Sequence, residues 1–571
     1  MEEIKIIENV TITPEKSLSK IQDLFDCVVV KTSFRIEDFG KSSQVNGNEE
    51  FIEKTKKLID EAVSKLKDGG LIYIYGLPNY LSFLGEYLSY KKDDFSYLFK
   101  YWIACELRQS NPDRNIPSSH IGLLMYLKSK SKKNTTPFEL NTKFERVPYT
   151  FCPACKNHTK DWGGKKHLRN PLGSAISDVW SFQNVELTDE IPVEVVERIV
   201  RLLPKEKKIL IANQTSSTFQ IKKLPKSKQE PSILNEVNRV VEGSCIDYLD
   251  NLSKEYPNGV FDLAFADPPY NLAKNYSTYE DDIDDQNYID WCNLWLDGMY
   301  KNLKPGGSLL VLNIPKWSIH HFNFLSPKMV FRNWIVWDAL STPAGKLLPA
   351  HYSLLCFTKP GGEVTINYET EKAIENREYC LRAGCINSRK KKGDDRKESL
   401  SDIWKDIHRI KHKKDRDQHP CQLPTKLMER IIRMYSNPND LVFDPFGGAG
   451  TTAVASKLLQ RSFVITELDK HYVEIAQRNL DRIVKDDNSG NFTYKREGIK
   501  QSKARGIPKK IVEDAYLTFC ESNQRTYQLE ELAIINNELF DLVSKYTGDV
   551  KKLISIAKRK LEASNQLSIS E

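Results

Sequence analysis

Two short segments hold residues whose types and spacing suit group-transfer chemistry. The first is Asp267-Pro268-Pro269-Tyr270, which ends the apolar run GVFDLAFADPPYNL over residues 259–272. A proline pair fixes the backbone and removes two N–H donors, so sheet pairing stops there and carbonyls are left free. The Asp267 carboxylate and the Pro268 carbonyl are acceptors for both hydrogens of a conjugated amine, whose lone pair is otherwise delocalised into its ring. The Tyr270 ring can stack on a planar base turned out of a duplex. Taken alone, the tetrapeptide also reads as a turn closing a strand.

The second segment is Asp444-Pro445-Phe446-Gly447-Gly448-Ala449-Gly450-Thr451-Thr452, with glycines between an apolar strand and a helical pattern. Glycine lets backbone approach a ligand closely, and a helix start offers unpaired N–H groups with a partial positive charge. A ligand carboxylate or a nucleotide phosphate suits such a turn. Seventeen residues after Gly450, Glu467 closes the next strand, SFVITELD, where an acid can accept from ribose hydroxyls.

A third group is Cys152-Pro-Ala-Cys155 followed by His158 and His167. Two cysteines two residues apart can form half of a tetrahedral zinc site, which the histidines would complete; the alternative is a reduced pair in a loop. From Arg377 to Arg416 there are fourteen Lys or Arg against seven Asp or Glu, a local excess equal to the net charge of +7 of the whole chain. Clustered cations bind polyanions by releasing counterions, whereas on charge alone a solvated lysine-rich loop reads equally well.

With these motifs in place, the chain resembles the amino-group DNA methyltransferases, in the permuted order that sets the catalytic motif before the cofactor motif. The resemblance covers residues 239–483 and implies a Rossmann-like α/β fold binding S-adenosyl-L-methionine. Asp267 to Tyr270 match the family's catalytic tetrapeptide. Phe446, Gly448 and Gly450 match its cofactor loop, with Asp444 before them and Glu467 in the acidic position. Gln422, in His419-Pro420-Cys421-Gln422-Leu423-Pro424, falls in the motif that helps hold the methionine end. One departure is Gly243-Ser244-Cys245, where the family usually has Gly-Asp; the Ser244 hydroxyl can still accept a hydrogen bond from the cofactor adenine.

An aspartate heading the tetrapeptide points to adenine N6, with cytosine N4 the alternative. The family's target-recognition region corresponds to about residues 360–418, which contain the basic segment. Arg389, Lys390, Lys391 and Lys392 are expected to track DNA phosphates, and Arg382 and Asn387 to read base edges. The implied partners are double-stranded DNA and a cognate restriction endonuclease. A non-catalytic DNA-binding factor on the same fold is the rival of a different class.

The elements that position these motifs belong to more than one domain, because 571 residues with 40% hydrophobic content can bury more than one core. No run of 18 apolar residues and no signal-peptide pattern occurs, so a cytoplasmic protein without a membrane role is expected. Eleven cysteines without dense spacing read as reduced thiols rather than a disulfide framework.

Sliding the chain against itself reveals an internal repeat at a shift near 230 residues. FDCVVVKTSF over 25–34 lies on FDLAFADPPY over 261–270, DGGLIYIYGLP over 68–78 on PGGSLLVLNIP over 305–315, and FKYWIACEL over 99–107 on FRNWIVWDAL over 331–340. His120 falls on His351, Ser177 to Trp180 on Ser401 to Trp404, and residues 192–213 on 424–445 without a gap. Lys31 to Phe34 stand where the second copy has its tetrapeptide, and Ala212-Asn213 face Asp444-Pro445. The expected organisation is a degenerate methyltransferase-like domain over 1–235, a catalytic domain over 236–485 and a small helical region over 486–571.

Overall fold

Apolar runs such as ILIA over 209–212 and SLLVLN over 308–313 have no polar face to turn to water, so they form strands buried on both sides. In the computed structural model they build two eight-stranded mixed sheets. The structure describes residues 5–7, 10–34, 49–108, 116–131, 137–158, 170–186, 188, 190–204, 206–214, 232–272, 282–339, 347–374, 379–394, 396–410, 422–485, 491–494, 509–536, 539–540, 543 and 550–567. His167, His419, Pro420 and Cys421 lie outside the described residues.

The second sheet runs in space Arg239–Glu242, Ser462–Glu467, Leu441–Asp444, Phe261–Ala266, Leu303–Asn313, His351–Thr358, Val330–Asp338 and Ile403–Trp404. Its first five strands are parallel neighbours, and His351–Thr358 runs antiparallel between Leu303–Asn313 and Val330–Asp338. The first sheet runs Lys5–Ile7, Val10–Pro14, Ile209–Asn213, Phe25–Lys31, Leu66–Gly76, His120–Ser129, Ser96–Arg108 and Val179–Glu186. Six positions correspond one to one, which makes the internal repeat a duplicated fold.

The other two positions differ. Where the second sheet has Ser462–Glu467 and Arg239–Glu242, the first has the N-terminal hairpin Lys5–Ile7 and Val10–Pro14, the latter pairing parallel to Ile209–Asn213. Among the described residues the first copy has no glycine turn, helix and acidic strand after Asn213. Its own side chains fill the strand ends instead: the Gln214 Oε1 accepts from Ser33 N at 2.9 Å and from Thr55 Oγ1 at 3.1 Å, all three residues being buried.

The two copies pack through equivalent elements, as subunits of a two-fold dimer would. Helices Pro78–Tyr90 and Pro315–Leu325 each start with proline, whose fixed φ and missing N–H suit a first helical turn. They meet through Phe83 and Phe322, edge to face at 5.6 Å, and through Asn323 Nδ2 donating to Ser82 O at 3.0 Å. Trp102 and Trp334 hold matching places in the repeat, and their rings stack at 4.0 Å and 6°. Buried Asp402 accepts from Ser119 N at 2.8 Å and faces His120 Nδ1 at 3.0 Å. Asp178 does the same from the other side, accepting from Ala350 N at 2.9 Å and facing His351 Nδ1 at 3.1 Å.

Residues 1–493 form one compact unit and 494–571 another. Among its described residues the latter has the helices Lys509–Ser522, Leu529–Ile535 and Val550–Leu567, which close a core of Val512, Tyr516, Leu532 and Leu553. Among the described residues no helix is long and apolar enough to cross a membrane.

Candidate active site

Adjacent parallel strands end at the same sheet edge, and that edge collects the sequence motifs. Phe261–Ala266 delivers Asp267 to Tyr270, its neighbour Leu441–Asp444 delivers the glycine turn, and the next strand Ser462–Glu467 ends on Glu467. Arg239–Glu242, paired to that last strand, brings in Gly243 and Ser244. The Gly243 N–H donates to Glu467 O at 2.9 Å.

The tetrapeptide is held from several sides. Tyr270 is buried and its hydroxyl donates to the Asp267 carboxylate. Trp317 Nε1 donates to Tyr270 O at 2.8 Å, and the Tyr288 hydroxyl donates to Pro269 O at 2.5 Å. Two of the carbonyls expected to be free are therefore taken. Among the described residues no donor meets the Pro268 carbonyl, which leaves it as the backbone acceptor. Asn313 Nδ2 donates to the Tyr288 hydroxyl at 3.2 Å and sits 3.0 Å from His321 Nε2. Burial lowers the His321 pKa to about 3, so this imidazole is neutral. Tyr352 stands 5.4 Å from the Tyr270 ring and 5.4 Å from Trp337, extending an aromatic wall away from the tetrapeptide.

The glycine turn is fixed by its own backbone. Gly447 N donates to Thr466 O at 2.8 Å and Gly450 N to Gly447 O at 2.8 Å. Gly450 caps the helix Thr451–Leu458 at φ +82°, where a side chain would be strained. A Cβ there would lie 2.8 Å from Ala476 Cβ and 3.0 Å from Ala476 Cα. Asp444 is buried, accepting from Phe446 N at 2.9 Å and from Thr452 Oγ1. Glu467 accepts from Gly448 N at 2.8 Å and Asp469 N at 2.9 Å. The Phe446 ring packs edge-on against Trp295 at 5.3 Å. The Ser244 hydroxyl accepts from Asp247 N at 3.4 Å and caps the helix Cys245–Glu255, with a second lone pair left over.

Burial pushes the Asp444 carboxyl up to about 6 and raises Glu467 as well. Among the described residues neither acid has a Lys or Arg partner. Two carboxylates without counter-charge, Asp444 buried and Glu467 half-buried, suit a cationic ligand and repel a phosphate.

Two expectations need correction. His158 does not complete a metal site with Cys152 and Cys155; it is exposed, with its ring against Phe151 at 5.3 Å. The residues beside the two cysteines are Cys380 and Cys385 of the second copy, and all four Sγ atoms lie within 4.8 Å of one another. The repeat held the signal, because Cys380 and Cys385 stand 228 and 230 residues after Cys152 and Cys155.

Arg389 is the other correction. It is turned inward, 5% exposed, with its guanidinium over Tyr379 at 4.3 Å, so it does not track phosphates with its neighbours. Helix Ala383–Lys391 has one buried side, holding Cys385 and Arg389, while Lys390, Lys391 and Lys392 remain exposed. Arg382 donates to His158 O, tying the two copies, and Asn387 is exposed. Gln422 is half-buried just before helix Thr425–Tyr435. The supports Tyr288, Asn313 and Trp317 carry no sequence motif.

Comparison with known proteins matches a family model described as DNA methylase at residues 25–211 and again at 261–478. The Type II methyltransferase M.BamHI of Bacillus amyloliquefaciens is 33% identical over 309 residues, covering 52% of this chain and 68% of that protein. The DNA adenine methyltransferase YhdJ of Escherichia coli (strain K12) is 29% identical over 257 residues, covering 43% of this chain and 84% of that protein. Among solved structures, the M1.HpyAVI-SAM complex aligns at 20% identity and a TM-score of 0.31, over 43% of this chain and 98% of that one.

Proposed function

The chain belongs to the DNA methylase family, and from that premise we propose that it transfers a methyl group from S-adenosyl-L-methionine to adenine N6 in double-stranded DNA. The observation that carries this reading is the charge of the sheet edge. Buried Asp444 and half-buried Glu467 are acids lacking a basic partner among the described residues, beside a helix start whose N–H groups suit a carboxylate. A ligand with both a cationic and a carboxylate end satisfies that pair of features. When bound, S-adenosyl-L-methionine supplies an electrophilic methyl group on a sulfonium centre.

The residues of the chain have separable tasks. Phe446, Gly448 and Gly450 shape the cofactor turn, Asp444 and Gln422 serve its methionine end, Glu467 serves the ribose, and Ser244 serves the adenine. Asp267 and the Pro268 carbonyl accept the two hydrogens of the target amino group. That contact directs its lone pair toward the methyl carbon, and Asp267 draws off the proton released once nitrogen is alkylated. Tyr270 and Pro269 line the base, with Tyr352 as the next ring outward. Lys390, Lys391 and Lys392 contact phosphates, and the first copy stands in for a second subunit. As in a Type II modification system, a cognate endonuclease would share the recognition sequence.

Methylated DNA digested to nucleosides and read by mass spectrometry tests the reaction and the base together. N6-methyladenine in the product, lost by orders of magnitude in Asp267→Ala while cofactor binding persists, is the expected result. N4-methylcytosine would replace the adenine assignment, and full turnover by Asp267→Ala would overturn the catalytic one.

A further inference from the structure

The four cysteines between the copies form a set that methyl transfer does not use. Cys152 and Cys155 lie on a tight hairpin, with strand Phe151–Cys152 paired to Asn157–His158 and Lys156 at φ +52°. Cys380 and Cys385 flank the start of helix Ala383–Lys391. The spacings, Cys-x2-Cys and Cys-x4-Cys, are those by which a short turn aims two thiolates at one ion.

The distances fit a tetrahedron. Cys152 Sγ is 3.8 Å from Cys385 Sγ, and Cys155 Sγ is 3.7 Å from Cys380 Sγ. A zinc ion at about 2.3 Å from each of four sulfurs spaces them about 3.8 Å apart, whereas a disulfide would hold two at about 2.0 Å. The Cys380 N–H donates to Cys152 Sγ at 3.4 Å, a contact that supports a thiolate. Three of the four residues are buried.

A second observation is the buried cation beside them. Arg389 lines the same cavity as Cys155 and Cys385. Among the described residues its Nε and Nη1 find no hydrogen-bond acceptor, and its carboxylate neighbour, Asp394, is 3.9 Å from Nη1. Four thiolates around one divalent ion carry a net charge of −2, which offsets a guanidinium that has little other compensation.

The geometry points to a structural zinc site, Cys152, Cys155, Cys380 and Cys385, that fastens the recognition segment of the second copy to the first. Each ion binds as four thiols release their protons, with no redox change and no open coordination position. The arrangement crosses the copies: the first cysteine of each pair faces the second cysteine of the other.

Metal analysis of the full chain, purified reduced and without chelator, tests this directly. About one zinc per chain is expected, and cobalt substitution should give the visible bands of a tetrahedral tetrathiolate. Cys152→Ser with Cys385→Ser should lower the zinc content at least tenfold, while Cys520→Ser retains it. A stable wild-type protein with less than about a tenth of a zinc per chain, and no uptake when zinc is added under reducing conditions, overturns the site. Mapped disulfides joining these cysteines in active protein would overturn it too. Should the double variant fail to fold, thiol titration of the wild type decides: four thiols protected until a strong chelator is added support the site, and four freely reactive thiols refute it.

Discussion

Replacing Gly450 with alanine tests whether the turn has the geometry described. The φ of +82° places Gly450 in the left-handed region, which costs an alanine about 1–2 kcal/mol. The new Cβ would lie 2.8 Å from Ala476 Cβ and 3.0 Å from Ala476 Cα, on helix Lys470–Asp481, where no flexible side chain can swing aside. Relieving such an overlap costs about 1–3 kcal/mol. The total of about 2–5 kcal/mol is less than the usual stability of a domain, so the variant should fold with a lowered melting temperature. Because Gly450 caps the helix that orders the turn, cofactor affinity should fall at least about tenfold, equivalent to about 1.4 kcal/mol. Adding Ala476→Gly removes the overlap with the alanine methyl but leaves both the φ strain and the close approach to the backbone at position 476. The pair should therefore recover about half of the lost stability, less the helix cost of about 1 kcal/mol for the new glycine. Calorimetric melting and cofactor titration of the four proteins measure the cycle. An unchanged melting temperature and affinity in Gly450→Ala would refute both the turn geometry and its role.

Two further outcomes follow from charge. Because burial raises the Asp444 pKa to about 6, its contribution to stability is fully present below the unfolded value and is lost as pH rises through about 6. A cationic ligand prefers the ionised form, so cofactor binding should tighten about tenfold between about pH 5 and 7. Titration calorimetry should find that dependence flattened in Asp444→Asn, and a flat wild-type profile would contradict the pairing. Neutralising Lys390, Lys391 and Lys392 should reduce the slope of log affinity for DNA against log salt by about 2–3; Arg389→Ala should instead lower thermal stability, and a reversal of these two effects would return Arg389 to the surface.

Much of the architecture was legible because buried strands and glycine turns are local patterns. The tetrapeptide, the turn and Glu467 each sit at a strand end, and alternating strands and helices require those ends to share an edge. The repeat foretold a duplicated fold as well, since apolar runs such as Phe25–Lys31 and Phe261–Ala266 keep their period after the polar residues have changed. What was not legible depends on contacts distant in sequence. The zinc expectation stayed within one stretch of chain and chose His158 and His167, whereas Cys380 and Cys385 reach Cys152 and Cys155 only after both copies have folded. Arg389 was read with its basic neighbours, because charge composition does not say which side of a short helix faces inward. The N-terminal hairpin filling two places of the first sheet also had no local signature, its strands being 3 and 5 residues long.

The stacked Trp102 and Trp334 have one more consequence. In a homodimer, a side chain on the two-fold axis meets its own copy, so a single codon writes both halves of the contact and every change arrives doubled. Here the two rings come from separate codons in one reading frame. A smaller residue can replace either ring while the other remains as a template, and the gap can then be refilled from the unchanged side. Heritable variation that a symmetric dimer must accept in pairs thus becomes available one step at a time.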